Sequence, residues 1–292
     1  MCWYAKCTAT VRWGTECSNA FLVVAGVRQG GVLSPTLFAI YMDYLIYKLV
    51  KSEFGCKVNG IYLGCLLYAD DIILLSQSVT TMQKMLDICS QYAIEMDVKF
   101  NTGKSVAMRI GPRCNNLCES LQLSDNDLLY VDTIKYLGVY IKKAKKFCCT
   151  YEHCKLKFFR SFNAVYSRCK GINSELPCLE LFKSFCLPVI MYAVEATWPS
   201  KTNINMLDNL INLAVKKIFN MKDYDMLATI RNNIGLHTVA QACDRKKLTF
   251  INKFVAVPMK QNNTILHMCF HDDVQPLFEA YSLTLCMPPR KV

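Results

Sequence analysis

No apolar run in this 292-residue chain approaches the roughly 18 residues that a membrane-crossing helix needs. The sequence therefore predicts no membrane span and no membrane partner. Its opening, Met1-Cys-Trp-Tyr-Ala-Lys, lacks the apolar core of a secretory signal and the Arg-rich pattern of a transit peptide. No internal repeat is evident, which sets repeat architectures aside. Negative charge is scarce: 23 acids stand against 34 Lys and Arg, for a net charge of +11. Such an excess fits a polyanionic partner, and nucleic acid fits better than a membrane surface because no basic amphipathic anchor stands out. Charge alone is equally consistent with a merely soluble basic protein.

Apolar residues make up 52% of the chain and mean hydropathy is +0.17, so a general state of disorder is excluded. The length suits one large domain or two modest ones. Seventeen cysteines are spread through the whole chain rather than packed into a short secreted one. Cys89 and Cys186 lie in apolar helical patterns, where a free thiol behaves as a small hydrophobe. This usage points to a reducing, intracellular compartment, cytoplasmic or nuclear. Cys114-x3-Cys118, Cys148-Cys149-x3-His153-Cys154 and His267-x-Cys269-x-His271 offer zinc ligands, but none forms two paired half-sites at finger spacing.

The chain is organised around Ile61–Ser76, where apolar runs Ile61–Tyr68 and Ile72–Leu75 flank the bare acidic pair Asp70 and Asp71. Two β-prone runs broken by a turn-forming pair predict a hairpin. Taken alone, the pair reads as an ordinary turn. Charge adds a second reading. Two carboxylates about 4 Å apart repel by roughly 4 kcal/mol at an effective dielectric near 20. No Lys or Arg stands between Ile61 and Gln83 to offset them. A divalent cation would, and all-oxygen ligands suit Mg²⁺ with water and substrate phosphate completing its shell. Two such ions are what in-line phosphoryl transfer uses.

Upstream stands Gly26-Val-Arg-Gln-Gly-Gly-Val-Leu-Ser-Pro-Thr-Leu-Phe38, and its spacing to Tyr68-Ala-Asp-Asp71 resembles the reverse transcriptases of non-LTR, LINE-like retrotransposons. Asn101-Thr-Gly-Lys-Ser105 and Lys135-Tyr-Leu-Gly-Val139 follow in that family's order, as its Asn-x-x-Lys-Ser/Thr turn and its primer-grip hairpin. The resemblance covers about residues 10–145 by motif. It implies a partial polymerase palm over residues 1–145 and a mostly helical, thumb-like region over 146–292, an α+β fold. It implies that Asp70 and Asp71 bind two catalytic Mg²⁺ ions and that Tyr68 lies against the primer end. Arg28, Gln29 and Gly30 would contact template and nascent pair, Lys104 the departing pyrophosphate. Tyr136, Leu137 and Gly138 would form the primer grip. The implied partners are an RNA template, a DNA primer, dNTPs and the upstream polymerase or endonuclease portion of the same element. Independently of any resemblance, an Arg fork suits phosphate, and adjacent glycines let backbone approach a ligand.

Short strands are expected at Thr8–Arg12 and Phe21–Ala25. Gly26, Gly30 and Gly31 would supply a tight loop, and Ser34-Pro35 would cap and open a helix that buries Leu37, Ile40, Tyr41, Tyr44, Leu45 and Leu49. Thr80-x-x-Gln83 reads as a capping box ahead of a stripe of Met82, Met85, Leu86, Cys89, Ala93 and Met96. Strands are expected at Val98–Phe100 and Val106–Ile110, and a hairpin from Leu128–Tyr130 with Ile134–Ile141. The elements up to there read as an antiparallel sheet with helices on one face. Residues 142–160 carry Lys142, Lys143, Lys145, Lys146, Lys155, Lys157 and Arg160 against Glu152, interleaved with Phe147, Tyr151, Phe158 and Phe159. This run suits either a nucleic-acid backbone or a solvated helix face. Beyond it helices are expected at about 151–170, 178–194, 204–220 and 237–254, with Pro177, Pro188, Pro199 and Pro258 at ends or kinks.

One part of the resembling pattern has no counterpart. The family's third metal carboxylate lies upstream of the Arg-Gln-Gly loop, whereas the only acid before Gly26 is Glu16, beside a turn. The fingers have no counterpart either. The expectation is therefore a C-terminal palm-and-thumb piece of an RNA-directed DNA polymerase, with little polymerization on its own. Two rivals stand beside it: a non-catalytic nucleic-acid-binding remnant, and a fossil reading frame whose exposed sheet edge would drive aggregation.

Overall fold

A computed structural model describes residues 7–255, apart from 24, 25, 27, 59, 173, 198 and 223–225. His267, Cys269, His271, Pro258 and the end of the expected strand at Ala25 lie outside the described residues. Helices and strands are mixed, and the chain divides into two compact units, Met1–Ser105 with Cys118–Leu128, and Val106–Leu117 with Leu129–Val292. The boundary expected at residue 145 falls inside the second unit, because the hairpin Thr133–Lys142 continues into a third strand, Cys148–Thr150.

In the first unit, Thr8–Ala9 pairs with Phe21–Leu22, and between them Arg12–Trp13 pairs with Glu16–Cys17. Helix α1 spans Ser34–Ser52 and α2 spans Val79–Glu95. Between them lie the ribbons Lys57–Val58 with Ile61–Tyr62 and Cys65–Tyr68 with Asp71–Leu74. Leu121–Leu123 pairs with the start of Asn126–Tyr130. The strands form separate ribbons rather than one antiparallel sheet, since left-handed turn residues such as Ala69, Ser124 and Asp125 close each pair after a few residues. No strand forms at Val98–Phe100.

The buried face of α1 is Ser34, Met42, Leu45 and Leu49, while Leu37, Ile40, Tyr41 and Tyr44 are exposed. This corrects the expected stripe. The helix is apolar on nearly every side, so spacing could not choose which side α2 would cover. There Tyr92 of α2 donates its hydroxyl proton to the Tyr41 carbonyl, 2.7 Å away, and Lys48 pairs with Glu95. The cap of α2 is Ser78, whose Oγ accepts from Thr81 N at 3.1 Å. Gln83 instead bonds Asp87 and both backbone groups of Gln122, tying α2 to the Leu121–Leu123 strand. The core of α2 is Met85, Leu86, Cys89 and Tyr92, close to expectation.

In the second unit, the end of Asn126–Tyr130 runs parallel to Val106–Ala107, not beside Ile134–Ile141 as expected. Helices follow at Glu152–Cys169 (α3), Leu176–Leu181 (α4), Leu187–Ile190 (α5), Val194–Thr197 (α6), Lys201–Ile218 (α7), Leu227–Asn233 (α8) and Val239–Val255 (α9). Between α4 and α5 the chain widens into a π-helical turn, Phe182–Cys186, just before Pro188. Proline has no N–H to give the preceding turn, which favours such a bulge. By length and composition Leu176–Thr197 is apolar enough to cross a membrane, with mean hydropathy 1.4, contrary to expectation. Here, however, Cys178, Phe182, Cys186, Ile190 and Val194 share a hydrophobic core with Phe158, Leu207 and Val215. Phe158 and Tyr151 are thus core residues, and Tyr151 and Thr197 bond through their hydroxyls at 2.5 Å.

The segment 227–239 is pinned by one ion pair. Arg231 grips both oxygens of Asp208 at 3.0 Å, and also Asn212 and the His237 carbonyl, while Asp208 accepts from Val239 N at the start of α9. Both terminal nitrogens of the buried guanidinium thereby hold two acceptors each, the kind of pairing that lets a buried charge be tolerated.

Candidate functional site

The acidic pair sits where an apolar ribbon must turn. Tyr68 stands opposite Asp71, leaving Ala69 and Asp70 as a two-residue loop. Ala69 has φ +52° and Asp70 has no positive φ, the sign pattern of a II′ turn, which matches the natural twist of paired strands. Alanine is a poor choice there, since its Cβ crowds the backbone in the left-handed region. The outcome is that Tyr68, Asp70 and Asp71 all project into solvent, Tyr68 being 62% exposed. Among the described residues, no ion pair or hydrogen bond engages either carboxylate. Behind the hairpin the titratable groups are neutral: burial pushes Cys65 up to about 11, and Cys89 and Tyr62 up to about 12. Nothing nearby in the ribbon offsets two adjacent negative charges.

These oxygens suit magnesium in kind, since Mg²⁺ is commonly held by one or two carboxylates plus water and phosphate. In number they stop at two. No group of three or more His, Cys, Asp or Glu able to hold a metal occurs among the described residues, zinc-type groupings included.

The Arg28–Gly31 loop is a turn in which Gly31 N bonds the Arg28 carbonyl at 3.0 Å. Gly30 takes the φ +79° that the third position of a type II turn demands. Gly31 has no positive φ, but a Cβ there would lie 2.6 Å from Ser34 Oγ. Ser34 is not the expected N-cap, a position held by Leu33. Its hydroxyl donates to the Arg28 carbonyl at 2.6 Å, so the first turn of α1 clamps the loop. Arg28 and Gln29 are left exposed at its rim. The loop and the acidic hairpin rest on packed elements, since α1 contacts Cys65–Tyr68.

Asn101–Ser105 forms the expected turn. Asn101 accepts Lys104 N on its side chain and Ser105 Oγ on its carbonyl, and Lys104 itself is exposed. Tyr136, Leu137 and Gly138 lie in the second unit. Leu137 and Gly138 have φ +43° and +81°, both left-handed, so they form a tight hairpin tip between Tyr136 and Val139. Nothing in the neighbouring residues indicates what holds this tip. Tyr192 donates to the Leu137 carbonyl at 2.7 Å, and its ring lies 3.0 Å from where a Gly138 Cβ would be. A larger residue at 138 would strike that ring, which explains the Gly.

The family described as reverse transcriptase (RNA-dependent DNA polymerase) matches residues 2–141. The chain is 29% identical over 42% of its length to a retrovirus-related Pol polyprotein from the type-2 retrotransposable element R2DM of Drosophila melanogaster, covering 12% of it. It is 23% identical over 69% of its length to the RNA-directed DNA polymerase from the mobile element jockey of Drosophila funebris, covering 22%. It is also 23% identical over 84% of its length to the Pol polyprotein of a type-1 element R2 from Popillia japonica, covering 35%. The chain thus spans between about a tenth and a third of these relatives.

Proposed function

Starting from the fact that this chain is a reverse transcriptase homologue of the non-LTR, LINE-like retrotransposon kind, we propose that it forms the palm-and-thumb portion of an RNA-directed DNA polymerase. The parent reaction is addition of dNTPs to a primer 3′-OH on an RNA template. The observation carrying this reading is the exposed Asp70–Asp71 pair, unneutralised among the described residues, at the tip of an apolar ribbon inside the matched region. Asp70 and Asp71 would hold the divalent ions, Mg²⁺ being the cation their oxygens suit, and a bound ion would supply positive charge to offset the charge developing in the displacement. Arg28 and Gln29, presented by the Ser34-clamped turn, face template and incoming nucleotide. Tyr68 flanks the primer end, Lys104 offers a cation to the pyrophosphate, and the Tyr136–Gly138 tip bears on the primer strand. Residues 146–292 act as the thumb-like part. Every described cysteine is a free thiol, which supports a reducing, intracellular setting.

Two carboxylates without a third support tight binding of neither ion. The 292 residues by themselves are therefore proposed to extend a primer little or not at all, and to need a further carboxylate, such as one from another polymerase portion of the same element. A primer-extension assay on an RNA template with Mg²⁺ tests this. Extension at background is expected, and Mg²⁺-dependent extension that Asp70→Asn abolishes would overturn it. A non-catalytic nucleic-acid-binding role is the second reading, favoured by the two-carboxylate count and the +11 charge. Salt-sensitive binding of an RNA–DNA hybrid that Asp70→Asn leaves intact, without extension in any reconstituted mixture, would select it.

A further inference from the structure

We propose that the groove between α3 and the C-terminal end of α7 is a binding site for unpaired nucleotides of a single nucleic-acid strand. This goes beyond the polymerase reading and does not depend on it, since every residue involved lies in the second unit and none belongs to the acidic hairpin. Residues four apart on α3 place rings in a ladder along one side. Phe158 and Phe162 stack at 6.0 Å with 4° between planes, and Phe162 and Tyr166 at 5.8 Å with 30°. Phe158 and Phe162 are buried and anchor the ladder, whereas Phe159 and Tyr166 reach its surface. The opposite wall comes from Leu213, Lys217 and Met221. The groove has a volume of about 440 Å³, inside the roughly 300–1,000 Å³ typical of ligand clefts.

Its chemistry is that of a base-stacking site. Lys217 Nζ lies over the Tyr166 ring, 4.7 Å from its centre, and over the Phe162 ring at 5.9 Å, so an incoming base stacks on the wall by displacing this flexible ammonium toward a phosphate. Lys216 adds a second ammonium, hydrogen-bonded to the Lys222 carbonyl at 3.1 Å, and no Asp or Glu lines the groove among the described residues. Asn163 and Asn220 place amides at its margin, able to meet base edges. Aromatic faces beside cations are how single strands are held without sequence preference, because every base has a π-face and every linkage a phosphate. A duplex cannot use such a groove, since its base faces are already stacked on one another. An acidic peptide would use the lysines but not the rings.

The test uses the full chain with fluorescent oligo(dT) and oligo(rU), within the span of about 4–16 nucleotides that such sites cover, and a blunt RNA–DNA hybrid of the same length. Tyr166→Leu keeps apolar volume and removes the ring face. Lys217→Ala removes the exposed cation, and circular dichroism melting confirms that both variants fold. Tyr166→Leu is expected to weaken single-strand binding by about tenfold, the loss of one stacked base. Lys217→Ala should flatten the log–log salt dependence by about 0.7, one phosphate contact. Hybrid binding should stay within twofold in both. Equal oligo(dT) and oligo(rU) binding would assign the site to bases and phosphates alone, and preference for one would assign it to that strand. The proposal is overturned if folded Tyr166→Leu binds single strands as wild type does, if hybrid affinity falls in parallel, or if a poly-glutamate peptide competes with equal strength and equal sensitivity to Tyr166→Leu.

Discussion

At the residue scale, the reading depends on charges left without a neighbour. Asp70 in the two-residue loop and Asp71 at the start of the next strand set two acids side by side, so a divalent cation should find them even without substrate. Titrating Mg²⁺ while following amide resonances from Tyr68 to Ile72 should show weak, saturable shifts. Asp70→Asn should reduce them sharply, and unchanged shifts would place the ion elsewhere. Ala69 is a second test. An L-residue in the left-handed region costs roughly 1–2 kcal/mol, partly offset by the greater entropy glycine loses on folding. Ala69→Gly should therefore raise stability by about 0.5–1 kcal/mol in urea titration. A loss would show that the turn differs from a II′ geometry. The acids, the Arg28–Gly30 turn and Lys104 were legible because each motif carries its chemistry in consecutive residues. Ser34 departs from the capping role its position suggests because its hydroxyl has two kinds of partner within reach, and only the path of the loop decides that it bonds the Arg28 carbonyl.

At the element scale, α1 shows what periodicity can and cannot supply. Its length and its Pro-led start were readable, but its buried side was not. The exposed side keeps Leu37, Ile40, Tyr44 and Tyr47 in water, with Ile40 67% exposed. A patch of that kind favours self-association. Ile40→Glu should lower light scattering at high concentration while changing stability by less than about 0.5 kcal/mol, as surface substitutions do. Leu45→Ala, on the covered side of the same helix, should cost about 2–5 kcal/mol. The Tyr136–Gly138 hairpin makes a complementary case. Its turn was expected from Gly138, but the side chain steadying it lies 55 positions along the chain. Tyr192→Phe should cost about 0.5–1.5 kcal/mol, the usual net worth of one hydrogen bond, and should speed hydrogen exchange at the Val139 amide and the strands beside it.

At the scale of the whole molecule, stability draws on neutral buried thiols and phenols and on the Arg231–Asp208 ion pair. Burial pushes Cys154, Cys178 and Cys243 up to about 11 and Tyr151 and Cys89 up to about 12, from ordinary values of 9.0 and 10.0. A group whose folded pKa is raised contributes stability that is complete below its unfolded pKa and is lost as pH rises through the folded one. Unfolding midpoints should therefore hold below about pH 9 and fall steeply between pH 9 and 12; a flat profile there would mean that these groups are solvated. Arg231→Ala leaves Asp208, whose side chain is 25% exposed, without its charged partner and should cost about 1.5–3 kcal/mol, the worth of hydrogen bonds to a charged group. Loss of less than about 0.5 kcal/mol would show that water replaces the guanidinium fully.

The sequence by itself determined the acidic turn, the loop of small residues ahead of α1, the helical character of the second half and the kinship with reverse transcriptases. All of these are written in neighbouring residues or in fixed spacings. Only the tertiary structure decided which side of α1 is covered, that Tyr192 braces the 136–138 tip, that Arg231 and Asp208 meet, and that rings on α3 face lysines on α7. Those outcomes depend on which distant segment arrives against each surface, and the free energy that selects it, burial of one apolar face among several, is a property of the packed pair rather than of either stretch alone.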